Sequence, residues 1–281
     1  MPLMRSSFFR TVVAVAVAAA GAMTASVIGF FFLPDETINQ PASQAEISQI
    51  ITPLVPPSKT LNFEPPKVGT YKLPIIKPAG DGEIIGIDGK VSHLAQHMKG
   101  RITILSFIHT HCRDEKGCRL ARASLFDAHN ASKHMPHIAK NAKFISLSFD
   151  PVRDTPDIVK SYANPVLGDP EAKQKIPWSF FTTKSKTELN PILKAYGQVI
   201  GPSIDAEIIS DLLRLYLIDR KGRVRNIYGL DSLDPRLIFA DIETLLMEEK
   251  EGCRRRNRQL GSKGPGVELT TPSKSRTPAQ N

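Results

Sequence analysis

The sequence predicts an α/β fold, and three observations predict it. Two apolar runs, Ile102 to Ile108 (ITILSFI) and Phe144 to Phe149 (FISLSF), read as strands buried on both faces. Between them Leu120, Ala123 and Phe126 recur at helical spacing, so strand, helix and strand follow one another as in a right-handed crossover. Further on, Asp219-Arg220-Lys221-Gly222 separates two more strand-like runs as a hairpin turn.

The elements can be justified in chain order. Thr11 to Leu33 is a run of 23 residues without a charge, long enough to cross a hydrocarbon core of about 30 Å. Arg5 and Arg10 precede it and Asp35 and Glu36 follow. The positive-inside rule then leaves residues 1–10 in the cytoplasm, makes 11–33 a single-pass transmembrane anchor in the inner membrane, and exports the rest to the periplasmic side. A cleaved signal sequence is the competing reading, with Ala20-Gly21-Ala22 as the cleavage site, but the apolar run continues for eleven residues past Ala22. Residues 34–60, with Pro41, Pro53, Pro56 and Pro57, read as an extended linker.

The domain itself is expected over residues 61–249. After the first strand–helix–strand unit, Thr155-Pro156 opens a helix with a hydroxyl N-cap and a proline at the first helical position. An interval containing Trp178 follows. Leu213 to Ile218 and Val224 to Ile227 flank the hairpin turn. Asp234-Pro235 opens the last helix, with Leu237, Ile238, Ile242 and Leu245 on its inner face. The order β-α-β-α, then β-β-α, is the thioredoxin-like arrangement. A doubly wound nucleotide-binding sheet would want a glycine-rich turn after its first strand, and here that turn is Thr110-His111-Cys112. Residues 250–281 form a basic tail rich in Arg, Lys, Gly, Ser and Pro, expected to be disordered.

Composition excludes several classes. With 41% hydrophobic and 23% charged residues the chain is not wholly disordered, and three cysteines in 281 residues do not make a disulfide-stapled scaffold. The net charge of +9 belongs to the ends. The last 32 residues carry eight Lys/Arg against two Glu, and the first ten carry two Arg, which leaves about +1 on the body. A nucleic-acid partner would want that charge on the folded part, so none is expected.

The chemistry concentrates at the turn after the first strand. Cys112 lies just past the strand and Cys118 at the start of the helix, where free N–H groups and the helix dipole favour thiolate over thiol. Thiolates attack disulfides and bind soft metals, so the pair is a candidate for redox exchange, for metal, or for both. A purely structural bridge is the third reading, and closing so short a loop would constrain little chain. Cys253 stands alone in the basic tail.

At this turn SFIHTHCRDEKGC resembles the copper-site segment of the Sco/SenC proteins, and SFDPVRDTPDIVKSYA, from Ser148 to Ala163, is similar to that family's Asp-Pro…Asp-Thr-Pro segment. WSFFT from Trp178 and LYLID from Leu215, with Gly222, are similar to its later strands, so the likeness runs over about Leu61 to Glu249. The resemblance implies a membrane-tethered thioredoxin-like domain that binds copper, Cu(I) favoured, through Cys112 and Cys118. It also implies a role in maturing the copper site of cytochrome c oxidase, whose copper subunit or another copper or thiol client would be the partner. A thiol-disulfide oxidoreductase using the same pair without metal is the alternative. A peroxiredoxin shares the fold, but its activated-cysteine turn is not recognisable here.

Two departures from the family pattern bear on the site. The family usually has three residues between its cysteines; here there are five, Arg113 to Gly117. The family's histidine lies five positions before the tyrosine of the Tyr-Leu-Ile segment, and five before Tyr216 is Asp211. A carboxylate is a hard ligand, poor for Cu(I). All seven histidines fall between His93 and His137. His111, on the loop beside Cys112, reads equally as a ligand or as a solvent-exposed side chain, and His111 or Asp211, whose carboxylate is acceptable to Cu(II), is the candidate third metal ligand. His109 reads as a hydrogen-bonded core residue, and His129, His134 and His137 as surface. His93 and His97 share a helical face without a further thiol or carboxylate. Asp150 and Asp154 read as turn and capping residues.

Overall fold

The computed structural model describes residues 64–112, 117–198 and 214–261. The anchor at 11–33, the residues before it, the linker at 34–60, Asp211 and the tail from 262 onward lie outside them. Among the described residues no helix is long and apolar enough to cross a membrane.

Eight strands form one mixed sheet: β1 (Lys77–Pro78), β2 (Glu83–Gly86), β3 (Val91–His93), β4 (Ile102–Ile108), β5 (Ala142–Ser148), β6 (Trp178–Thr182), β7 (Leu215–Ile218) and β8 (Arg223–Tyr228), in the order β1-β8-β7-β4-β5-β6-β2-β3. The helices are α1 (Leu94–Met98), α2 (Gly117–Ala131), α3 (Pro136–Asn141), α4 (Pro156–Leu167), α5 (Lys186–Ala195) and α6 (Pro235–Gly261). β4 pairs parallel with β5 across the α2 crossover and antiparallel with β7, so the strand that delivers Cys112 lies inside the sheet. Every residue of β4 is buried, as its unbroken apolar run predicts. The β7–β8 hairpin turns at Asp219, whose carbonyl accepts from Gly222 N–H; Gly222 has φ 72°, which favours glycine. This mixed sheet with its helices is the thioredoxin-like arrangement expected from the sequence.

Thr155 caps α4 through its side chain, with Pro156 first in the helix. Other expectations need correction. α2 turns a different face inward: Ala121, Leu125 and Ala128 are buried, Ala123 is exposed, and Phe126 packs sideways on Trp178 at a ring distance of 5.1 Å. Both sets of positions fit a helix face, the expected one at steps of three and three and the buried one at steps of four and three, and only the neighbours decide between them. The last helix runs on to Gly261, past residue 249 where the domain was expected to end. Residues 249–258 are exposed and rich in Glu and Arg, with Glu251 and Arg255 paired at 3.7 Å across one turn. β2 and β3, joined through Asp88-Gly89, were not anticipated; they extend the sheet where β2 meets β6.

Candidate metal and redox site

Cys112 lies four residues past the end of β4, and Cys118 is the second residue of α2. A disulfide joins them, with Cα atoms 6.4 Å apart. Both are partly buried and packed on the main core. An open cleft of about 550 Å³ lies against it, lined by His109, Cys112, Cys118, Arg122, Phe126 and Tyr162 among others. Arg122 stacks over the rings of Tyr162 and Phe126 at 5.0 and 5.5 Å. Burial holds the Tyr162 phenol above its ordinary range, with Arg122 pulling the other way.

Asp154 organises the loop and is the functional residue that sequence reasoning missed. It does not cap α4, which Thr155 does. Its carboxylate, fully buried, accepts from Ser148 Oγ at 2.6 Å, from Thr110 N–H at 3.2 Å, and from the Thr110 hydroxyl. Because that hydroxyl donates to Asp154, it is free to accept from His111 Nδ1 at 2.8 Å. His111 thus carries its proton on Nδ1, and its side chain is 52% exposed. The Asp-Thr-Pro segment of the sequence was the available signal, since a buried carboxylate needs several donors.

The remaining candidates separate clearly. Asp150 holds the turn before α4: its carbonyl accepts from Arg153 and Asp154, and its N–H donates to Ser148 Oγ. His109 is buried as expected, its side chain 6% exposed, but it is not hydrogen-bonded. Its Nε2 lies 3.3 Å from Asp150 Oδ2, within ion-pair range, yet neither nitrogen makes a hydrogen bond. His129 is a further correction: it is buried against Trp178, ring centroids 5.4 Å apart, and burial lowers its pKa to about 4. His134 is exposed, and His137 reaches Glu243 at 2.9 Å. His93 and His97 do not form a pair of ligands: His93 meets Asp81, while His97 bonds Ser92 and packs on Phe181. Cys253 is exposed on α6.

Among the described residues no three His, Cys, Asp or Glu side chains stand together as a ready metal cage. The two sulfurs are bonded to each other, and thiolates are the form that ligates. The donor set nevertheless suits a soft metal once the bridge is opened, because two sulfurs share one wall of a cleft with an imidazole.

A family model described as SCO1/SenC matches residues 86–247. No curated protein matches the chain. Among solved structures, a SCO1/SenC family lipoprotein from Bacillus anthracis is 21% identical, with a TM-score of 0.50, covering 62% of this chain and 97% of its own. BsSco, a member of the Sco family of cytochrome c oxidase assembly proteins in which a disulfide switch was identified, is 25% identical over 62% of this chain and 96% of its own, with a TM-score of 0.47. Copper-bound ScoI from Arabidopsis thaliana is 20% identical over 60% and 98%, with a TM-score of 0.46. Because the matched span takes in more than half of the chain, from β2 through the cysteine turn and into α6, the chain belongs to the SCO1/SenC family.

Proposed function

We propose that this chain binds copper as cargo through Cys112 and Cys118 and assists assembly of the copper site of cytochrome c oxidase, from a single-pass anchor in the inner membrane with its domain on the periplasmic side. The observation that carries the reading is the meeting of both cysteines at the strand-to-helix turn, on the wall of an open cleft. Family membership supports it. The loaded form requires a reduced pair. A donor dithiol supplies two electrons and two protons, its own sulfurs join, and the Cys112–Cys118 bond opens to two thiols. On uptake of Cu(I) the two thiols release their protons and both thiolates become ligands.

The test is an anaerobic Cu(I) titration of the reduced full chain in detergent, carrying Cys253→Ser so that only the site thiols count. One copper per chain is expected, with sulfur ligands in X-ray absorption, and either Cys112→Ser or Cys118→Ser should abolish it. No stoichiometric binding would overturn the copper reading. It would shift weight to a thiol-disulfide oxidoreductase, which the closed disulfide and the carboxylate at position 211 favour. For the anchor, an alkaline-phosphatase fusion after residue 60 should be active and the protein should remain in the membrane fraction. A soluble exported form starting near Met23 would refute it.

A further inference from the structure

We propose that His109, oriented by Asp150, is the nitrogen ligand of the reduced site. The inference rests on the copper reading above. Position 211, where the family's histidine would stand, is a carboxylate, so a nitrogen donor has to come from elsewhere. Five histidines are placed away from the cysteines. His93 and His97 sit at β3 and α1 with Asp81, Ser92 and Phe181. His129 lies three helical turns along α2 from Cys118, roughly 16 Å, and His134 and His137 lie beyond it. His109 and His111 remain.

Their surroundings differ. His111 is half exposed and does not line the cleft; its Nδ1 faces the Thr110 hydroxyl at 2.8 Å and the Asp154 carboxylate at 3.4 Å, which leaves Nε2 as its free nitrogen. His109 lines the cleft together with both cysteines, and its backbone carbonyl accepts from Cys112 N–H at 3.3 Å. Its ring is almost wholly buried with both nitrogens unsatisfied, which is costly and rare in a native interior. Asp150 Oδ2 is buried without a hydrogen bond as well and lies 3.3 Å from Nε2. Arg153 Nε approaches the same oxygen at 3.3 Å from the exposed side. A ring rotation that completes Nε2–H to Oδ2 leaves Nδ1 as the free lone pair of a ring that lines the same cleft as both sulfurs. This is the carboxylate–imidazole pairing that fixes the tautomer of metal-bound histidines. One feature thus accounts for two orphaned groups. Asp150 is a positioning residue, since it acts through the ring. Two thiolates suffice for Cu(I), so the imidazole matters most for Cu(II), which prefers nitrogen.

The reduced full chain with Cys253→Ser, in detergent, is loaded with Cu(II) and read by electron paramagnetic resonance and competition titration. Nitrogen coupling is expected in the parent and in His111→Ala, and its loss in His109→Phe with a fall in Cu(II) affinity of at least about 100-fold. Asp150→Asn should shift the copper hyperfine splitting and weaken Cu(II) by about 10–100-fold while Cu(I) stoichiometry stays at one. Coupling that survives His109→Phe overturns the proposal, and coupling that vanishes in His111→Ala moves the ligand to the loop. Should His109→Phe fail to fold, His111→Ala and Asp150→Asn decide: loss of coupling in the first, or an unchanged spectrum in the second, rejects the assignment. If the reduced parent takes up neither Cu(I) nor Cu(II), the copper reading fails and this inference with it. If Cu(I) binds one to one while the coupling ignores His109, only this inference fails.

Discussion

Asp154 shows how much one side chain can hold in place. It accepts from the Thr110 N–H and hydroxyl, from Ser148 and, at 3.4 Å, from His111 Nδ1, and it has no solvent exposure. Asp154→Ala would strand those donors in the interior, and the expected loss is about 2–4 kcal/mol in urea unfolding. Asp154→Asn keeps one acceptor oxygen and should cost less. With Thr110 released, the reduced Cys112 should alkylate faster than in the parent; an unchanged rate would show that the loop does not depend on Asp154. His129 makes a second prediction at this scale. The folded chain keeps its ring neutral down to about pH 4, because burial disfavours the cation and Lys175 adds to that. The unfolded chain protonates it near pH 6.5. Across that window the unfolded state binds the extra proton, so stability falls as pH drops from about 6.5 to 4, by roughly 1–3 kcal/mol. In His129→Leu that part of the stability-versus-pH slope should flatten.

At the scale of elements, α6 is fastened to the sheet by Asp241. Its carboxylate accepts from Tyr71 Oη at 2.5 Å, Tyr228 Oη at 2.7 Å and Asn226 Nδ2 at 2.7 Å, so one helix residue ties together β8 and the segment before β1. Burial raises the Asp241 pKa, and the three donors oppose it. Asp241→Ala leaves two phenols and an amide without their acceptor, and a loss of about 2–4 kcal/mol is expected in chemical denaturation. The far end of the same helix should behave differently. Buried residues of α6 end at Leu246, and residues 249–258 are exposed. A chain ended after Glu251 should therefore keep its unfolding free energy within about 0.5 kcal/mol while losing helical signal in circular dichroism. A large loss of stability would mean that the last turns pack on something.

For the whole molecule, the disulfide sits beside a large core rather than substituting for one. The main buried cluster runs from Val68 to Leu246 and includes β4, β5, β7 and α6. The bridge spans a sequence separation of 6, and a loop that short is worth about 2 kcal/mol of chain entropy. Reduction should then lower stability by no more than that, with far-ultraviolet circular dichroism unchanged. Collapse of the fold on reduction would argue for a structural bridge and against a site that opens and closes. Such a site needs a frame that survives both states, and the sheet around β4 supplies it.

What could be read from the chain alone was what local pattern decides. The unbroken apolar runs marked β4 and β5 to within two residues, Thr155-Pro156 marked the start of α4, and Asp219 to Gly222 marked the β7–β8 turn. The placement of Cys112 and Cys118 at one strand-to-helix turn followed from those same runs. Asp88-Gly89 is a hairpin signal, but the strands around it, four and three residues long, are too short to show an alternating pattern. Tertiary structure decided the rest. Which face of α2 is buried depends on Trp178, far along the chain. The partner of Asp154 is Thr110, 44 residues away, and that separation turns an apparent capping residue into the anchor of the cysteine loop. The environment of His109 likewise depends on Asp150 arriving from the end of β5. Periodicity reports which residues can be buried, but the cost of burying a polar group is set by its neighbours in space, and only the folded sheet brings these together.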